Sequence, residues 1–570
     1  MILNRKPNRW WGSYLRLLVA GALVLAVTFR LGNLSTKPYW EDEVFTSMRV
    51  SGYTLALVRE QFDRRIVSAE SLFQYQDVVQ SGQSWGDSLS ALSSRPEHAP
   101  LYFVLARAWA QVFGSSPGAM RAFPAITSLL TLPLFYGLAR LLFNAPATAS
   151  ITLCLACVSP ILIRQAQEAR PYSLWIVGIL ASSTMLLRAL RSNRRSAWMI
   201  YSLTVALTFW THLLSGIVFA IHGLYVLILQ RYAATSLTED SASVVGRLGY
   251  QTPLAPSRIA NFGRFLLLGT LPILPWLGWM FYRISSVKAV TSWQNTDKPL
   301  DDMLFGWTRN VSYLVLDWIP RDRWLIFAIL WLLLFTWAVF RLLSASQLRQ
   351  WLLPILFCLV PSVLLIVPDL LFGGIRSLIP RYSIPIYLGL ILILGFAFSY
   401  CRPQSRRSAT ASRYSYFQKG LFHIVLVLMI AASWHNLHAS VWWRDSRLFL
   451  VQVPQAVTQS AAPAVLVSDY RLSNVMSIGR LLRPTDSLFW LPRGKGDMDE
   501  TDIDKIINSS DHVFLYQPSD NLLSQLEASL AERQIAIEKT ETENLYQLID
   551  KTEAEELNRQ AVLSGHPTRK

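Results

Sequence analysis

Tyr39-Trp40-Glu41-Asp42-Glu43-Val44-Phe45-Thr46 sets three consecutive carboxylates directly behind a long apolar run, residues 10–31. That run is long enough to cross a hydrocarbon layer about 30 Å thick as one helix. An acid at the bilayer centre costs about 2.5–3.5 kcal/mol, so Glu41, Asp42 and Glu43 belong at or beyond the interface where this helix leaves. Acids held there among aromatic rings are candidates for chemistry on something carried by the membrane. An isolated acidic triplet is more often the solvated start of a loop. The remainder of the chain decides between the two.

Working outward, apolar runs of similar length recur along most of the 570 residues, of which 52% are hydrophobic and only 16% charged. This is the pattern of an α-helical polytopic membrane protein. The 21 tryptophans suit interfacial belts. A net charge of +16 invites a nucleic-acid reading. The basic residues, however, cluster in short segments between apolar runs, where the positive-inside rule places them. The charge is read as topology, and nucleic acid is set aside as a partner. Cys154 and Cys157 form a C-x-x-C within an apolar run, which disfavours a redox or zinc role. The first run lacks a small-residue cleavage site and is read as a retained anchor.

Arg5, Lys6, Arg9 and Arg16 place the N-terminus in the cytoplasm and the acidic triplet outside. Residues 33–120 then form a long external segment, in which residues 98–113 are expected as an interfacial helix. With that choice every arginine cluster falls inside: Arg140; Arg188, Arg191, Arg194 and Arg195; Arg231, Arg247, Arg258 and Arg264; Arg341 and Arg349; Arg402, Arg406, Arg407 and Arg413. About eleven spans result, with an external C-terminus. From residue 441 the composition becomes soluble. Residues 465–467, 487–491 and 512–516 are expected as strands, and 473–482, 502–508 and 521–533 as helices, giving a small α/β domain. The expected organisation is a membrane domain over 1–440, an extracytoplasmic α/β domain over 441–550 and a disordered tail over 551–570.

Under this topology the unusual polar residues gather on the outer side. They are Glu41, Asp42 and Glu43; His98; Arg121; Glu168, Arg170 and Tyr172 in the turn after the third span; His212; and Arg376, Arg381 and Tyr382 near the tenth. Singly, His212 reads better as a satisfied helix-end histidine, and Arg121 or Arg376 as snorkelling arginines. Together, acids, a histidine and arginines on one side of a bundle favour a functional site. Arginines would hold a lipid-borne phosphate through bidentate, charge-assisted bonds. A carboxylate would take the proton from an attacking hydroxyl, a contribution of about 10²–10⁴-fold. Residue types alone leave glycosyl and phosphoryl transfer both open.

Trp40-x-Asp42-Glu43, His98-x-Pro100-Leu101-Tyr102, Gln167-Glu168-Ala169-Arg170-x-Tyr172 and Arg381-Tyr382-x-x-Pro385 resemble, in order, the motifs of the GT-C glycosyltransferases of family 39. That group includes protein O-mannosyltransferases and lipid A aminoarabinose transferases, and the resemblance covers roughly residues 10–400. It implies a GT-C-like membrane fold and an inverting glycosyltransferase that uses a polyprenyl-phosphate-linked monosaccharide on the outer face. By the same resemblance Asp42 is the general base, with Glu43 and Glu168 supporting it. Arg170 and Arg381, with Arg121 and His98, bind the donor phosphate, and Glu41, Tyr172, Tyr382 and His212 complete the site. The sequence departs from the family where His-Pro-Pro reads His98-Ala99-Pro100 and where Glu41 extends the acidic pair to a triplet, so Glu41 competes for the role of base. No cofactor is required, although the acids could hold a divalent cation. The expected partners are the lipid-linked donor, membrane lipids and a protein, lipid or glycan acceptor. The alternatives are a lipid-linked oligosaccharide ligase or polymerase, or a lipid or glycan transporter.

Overall fold

The computed structural model describes residues 9–235, 254–399, 409–441, 448–492 and 498–552. Arg5, Lys6, Arg247, Arg402, Arg406 and Arg407 lie outside the described residues, as do residues 553–570 of the expected tail. The chain divides into two compact units. The first comprises Met1–Leu34, Arg95–Tyr102 and Arg121–His438; the second comprises Ser35–Ser94, Phe103–Met120 and Ala439–Lys570.

The first unit is helical. Among the described residues, nine helices are long and apolar enough to cross a membrane, from Ser13–Leu31 to Tyr416–His438. Pro146–Val158 and Pro160–Ala166 form a further pair bent by 58°. Arg195–Thr211, 17 residues long, packs beside Tyr172–Ser192. Against the about eleven spans expected, the described residues offer nine such helices, or ten with the bent pair, and the chain is a multi-pass membrane protein. Leu101–Phe113, expected along the interface, is an apolar helix of 13 residues, too short to span.

One expected span differs in shape. Residues 149–163 were read as one helix, yet the helix breaks at Ser159. Pro160 has no N–H to give the carbonyl of Ala156, and it pushes the preceding residue out of the helical region. Ser159 accordingly sits at φ −66, ψ 119. The stranded carbonyls find other donors. Arg30, fully buried, donates to Ala156 O at 3.0 Å and to Cys157 O at 2.7 Å. Ser433 Oγ donates to Val158 O at 2.9 Å. A guanidinium at a helix C-terminus also meets the negative end of the helix dipole. The broken helix packs against Arg9–Leu31, Thr131–Phe143 and Ile384–Ser399. Its approach to the last of these is so close that a Cβ on Gly395 would lie 2.0 Å from Thr152 Oγ1, which only glycine avoids.

The second unit is built on a six-stranded sheet: β1 (Ile66–Ser68), β2 (Ala464–Ser468), β3 (Ser487–Trp490), β4 (His512–Tyr516), β5 (Ile535–Lys539) and β6 (Leu545–Asp550), in the order β1-β3-β2-β4-β6-β5. β3, β2 and β4 are parallel and the flanking strands antiparallel. Every residue of β2 is buried, as suits an apolar strand covered on both faces. Helices Leu472–Gly479, Glu500–Ile507 and Asp520–Leu530 follow the three parallel strands, and Val465, Val467, Phe489, Leu515, Ile503 and Leu526 share one core. The expected strands and helices all appear. β5 and β6 were not anticipated, nor was β1, which comes from the segment behind the first membrane helix. Arg64, just before β1, forms a 2.7 Å ion pair with the buried Asp502.

Candidate functional site

The acidic triplet, in the second unit, opens helix Glu41–Val50, with all three carboxylates in its first turn. Negative charge there is stabilised by the positive end of the helix dipole. The three acids then diverge. Glu43 is fully buried, and its carboxylate accepts from the Trp40 backbone N–H at 3.3 Å, capping the helix. Glu41 accepts a 2.8 Å hydrogen bond from Ser473 Oγ and lies 3.7 Å from Arg471 Nη1. Both partners stand at the start of the helix that follows β2. Asp42, between the two, is part-buried, and its backbone carbonyl accepts from Thr46 Oγ1 at 3.0 Å. The helix is held further by Tyr39, whose hydroxyl pairs with Ser47 Oγ at 2.6 Å and whose ring lies under the Arg480 guanidinium at 4.7 Å.

In the first unit, the break at Ser159 turns the short helix Pro160–Ala166 so that the following residues, 167–171, form a compact, buried turn. Gln167 anchors it by donating to Phe29 O at 2.7 Å and Gly32 O at 2.8 Å, and Ser173 Oγ donates to Gln165 O at 2.8 Å. Glu168 is ion-paired with Arg164 at 3.0 Å, both side chains almost wholly buried. Arg164 went unnoticed in the sequence, although its spacing of four from Glu168 is a pairing signal on a helix. The Arg170 guanidinium lies 5.8 Å from the Tyr172 ring centre.

His212 sits in the turn between Arg195–Thr211 and Ser215–Thr235, stacked on Trp175 with ring centres 4.3 Å apart and 6.0 Å from the ring of Tyr172. Burial, and then the charges of Arg170 and Arg381, push its pKa down from 6.5 to about 3. Through Tyr172, Arg170 and His212 are neighbours, and Arg381 is near enough for its charge to act on the His212 ring. Arg381 lies over the rings of Trp293 and Tyr382, at 5.9 and 5.8 Å, and Gln294 donates to the Tyr382 hydroxyl at 2.8 Å. Trp175, Trp293 and Gln294 carried no motif and could be found only by folding.

The other singled-out residues have the following contacts. Arg121 is buried and donates to Leu34 O at 2.9 Å. His98 Nε2 lies 4.0 Å from Glu97 Oε1. Arg376 pairs with the buried Asp369 at 3.0 Å. Among the described residues, no group of three or more His, Cys, Asp or Glu is arranged to hold a metal ion.

Residues 97–249 match a family model described as dolichyl-phosphate-mannose-protein mannosyltransferase. The matched stretch carries His98, Arg121, Glu168, Arg170, Tyr172 and His212. Among solved structures, ArnT from Cupriavidus metallidurans bound to undecaprenyl phosphate is 13% identical, with a TM-score of 0.48 over 94% of this chain and 98% of that one. The Archaeoglobus fulgidus oligosaccharyltransferase in its apo form is 11% identical, with a TM-score of 0.43 over 93% of this chain and 74% of that one. The archaeal oligosaccharyltransferase AglB from Archaeoglobus fulgidus, in complex with an inhibitory peptide and a dolichol-phosphate, is 12% identical at a TM-score of 0.43, over 93% and 73%. No curated protein matches the chain.

Proposed function

We propose that the chain is a membrane glycosyltransferase of the GT-C type that transfers a monosaccharide, with inversion, from a polyprenyl-phosphate-linked donor to an acceptor hydroxyl on the extracytoplasmic face. The observation that carries this reading is the run of contacts that sets Arg170 against the Tyr172 ring and Tyr172 against His212, within the electrostatic reach of Arg381. Two forked cations from distant parts of the sequence suit a phosphate bound bidentately. A neutral His212 would donate to it without adding charge.

In the proposed reaction the acceptor oxygen attacks the anomeric carbon while Asp42 takes its proton. The bond from that carbon to the phosphate oxygen breaks, and the electron pair leaves with the polyprenyl phosphate, whose charge Arg170 and Arg381 neutralise. Asp42 is taken as the base from its place in the Asp-Glu pair; its neighbours Glu43 and Glu41 cap the helix and accept from Ser473. Arg164 would hold Glu168 oriented. Arg121 and His98 are the weaker phosphate ligands in this reading.

The test compares purified wild type with Asp42→Asn on a panel of radiolabelled polyprenyl-phosphate sugars, scoring donor binding and donor consumption with a membrane extract supplying acceptors. Wild type consumes one donor, and the variant binds it with turnover reduced at least about 10²-fold. Normal turnover by the variant would move the base to Glu41. If wild type binds no donor, transport replaces transfer as the reading.

A further inference from the structure

Arg191 ends helix Tyr172–Ser192, whose 21 residues separate it from Arg170 by about 30 Å at 1.5 Å per residue. There, at the arginine-rich ends of the first unit's helices, lies a hollow of about 690 Å³. Arg191, Arg258 and Arg349 line it, each from a different helix, together with Asn144, Gln347 and Gln350. Among the described residues, no Asp or Glu lines it. Arg258 and Arg349 stand in the first turns of Pro256–Thr270 and Leu348–Phe372, where the positive end of the helix dipole adds to their charge. Leu142, Phe143, Leu187, Leu190 and Leu229 supply an apolar part of the lining. The rim is braced: Tyr225 donates to Arg349 O at 3.0 Å, and Arg191 donates to Leu141 O.

Arginines that only mark membrane orientation snorkel outward, each toward its own stretch of headgroups. Here three converge on one concave surface with an apolar side, at the depth where helices leave the membrane. A cation-lined mouth beside an apolar wall matches a phosphate that carries acyl chains. We propose that this hollow binds the headgroup of an anionic phospholipid, with the arginine forks on its phosphate and the leucine wall against its chains.

Delipidated full-length protein would be titrated with phosphatidylglycerol and phosphatidylcholine, and retained lipid counted by native mass spectrometry. Four proteins are compared: wild type; Arg191→Gln/Arg258→Gln; Ala345→Trp, which fills the hollow without touching its charges; and Arg188→Gln/Arg195→Gln, which removes equal charge from exposed positions outside it. Wild type should hold one phosphatidylglycerol in preference to phosphatidylcholine. The first two variants should weaken it by about tenfold and the charge control by less than about twofold. Equal weakening in the charge control would reduce the effect to diffuse attraction and overturn the site. So would full retention by Ala345→Trp, which decides the matter even if the arginine variant does not fold. Complete displacement of the lipid by inorganic phosphate would make this a free-anion site and refute the lipid assignment.

Discussion

Replacing Arg30 with methionine removes one head group and leaves two helix-end carbonyls, those of Ala156 and Cys157, without their donor. A hydrogen bond from a charged group contributes about 1.5–3 kcal/mol, so the two lost bonds sum to about 3–6 kcal/mol. Relief from burying a guanidinium offsets part of this, and a net loss of about 2–4 kcal/mol is expected. Arg30→Lys keeps the charge but not the fork, and should lose about half as much. The geometry also makes a sharper demand. Pro160→Ala restores the N–H that would serve Ala156 in an unbroken helix, so in the Arg30→Met background it should recover about 1 kcal/mol. The two substitutions would then be non-additive. Reversible unfolding in mixed micelles of rising dodecyl sulfate fraction, followed by circular dichroism, measures all four corners of this cycle. An Arg30→Met loss below about 0.5 kcal/mol, or strict additivity with Pro160→Ala, would refute the idea that Arg30 replaces the bonds broken at Ser159.

Two further outcomes follow from the site. Ser473→Ala removes the donor that holds Glu41; kcat should fall about 3–10-fold with the donor KM unchanged, and Ser473→Thr should restore it, whereas an equal change in KM would give Ser473 a different role. His212, with its pKa pushed from 6.5 down to about 3, is neutral when folded but binds a proton when unfolded below pH 6.5. Its contribution to stability is therefore complete above pH 6.5 and drains away as the pH falls toward 3. His212→Asn should flatten the unfolding midpoint over that interval, and parallel curves for the two proteins would show that His212 titrates normally.

Much of this architecture could be read from residue order. Length and apolarity locate a membrane helix almost unaided, because lipid offers the backbone no hydrogen-bonding partner and forces long uninterrupted runs. The short strands β2, β3 and β4 were legible because their apolar runs are bounded by turn residues. β5 shows its alternation only weakly, in Ile535 and Ile537, and Leu545 and Leu548 of β6, three residues apart, show none. β1 was out of reach: three residues carry no period, and they become a strand only because β3 offers an open edge.

At the site, residue types and spacing singled out Glu41, Asp42, Glu43, Glu168, Arg170 and Arg381, since charge beside a membrane span is costly and therefore conspicuous. The sequence alone thus determined the class of protein, the positions of its spans and the inventory of charged residues. Tertiary structure alone decided what each charge does. It buried Glu43 as a cap, tied Glu41 to Ser473, paired Glu168 with Arg164, gave Arg121 and Arg376 to Leu34 and Asp369, and brought Arg170 and Arg381 to His212. The reason is range. A span is a local property of some 20 residues and one solvent, whereas the fate of a buried charge depends on which distant donor or acceptor the packing delivers to it.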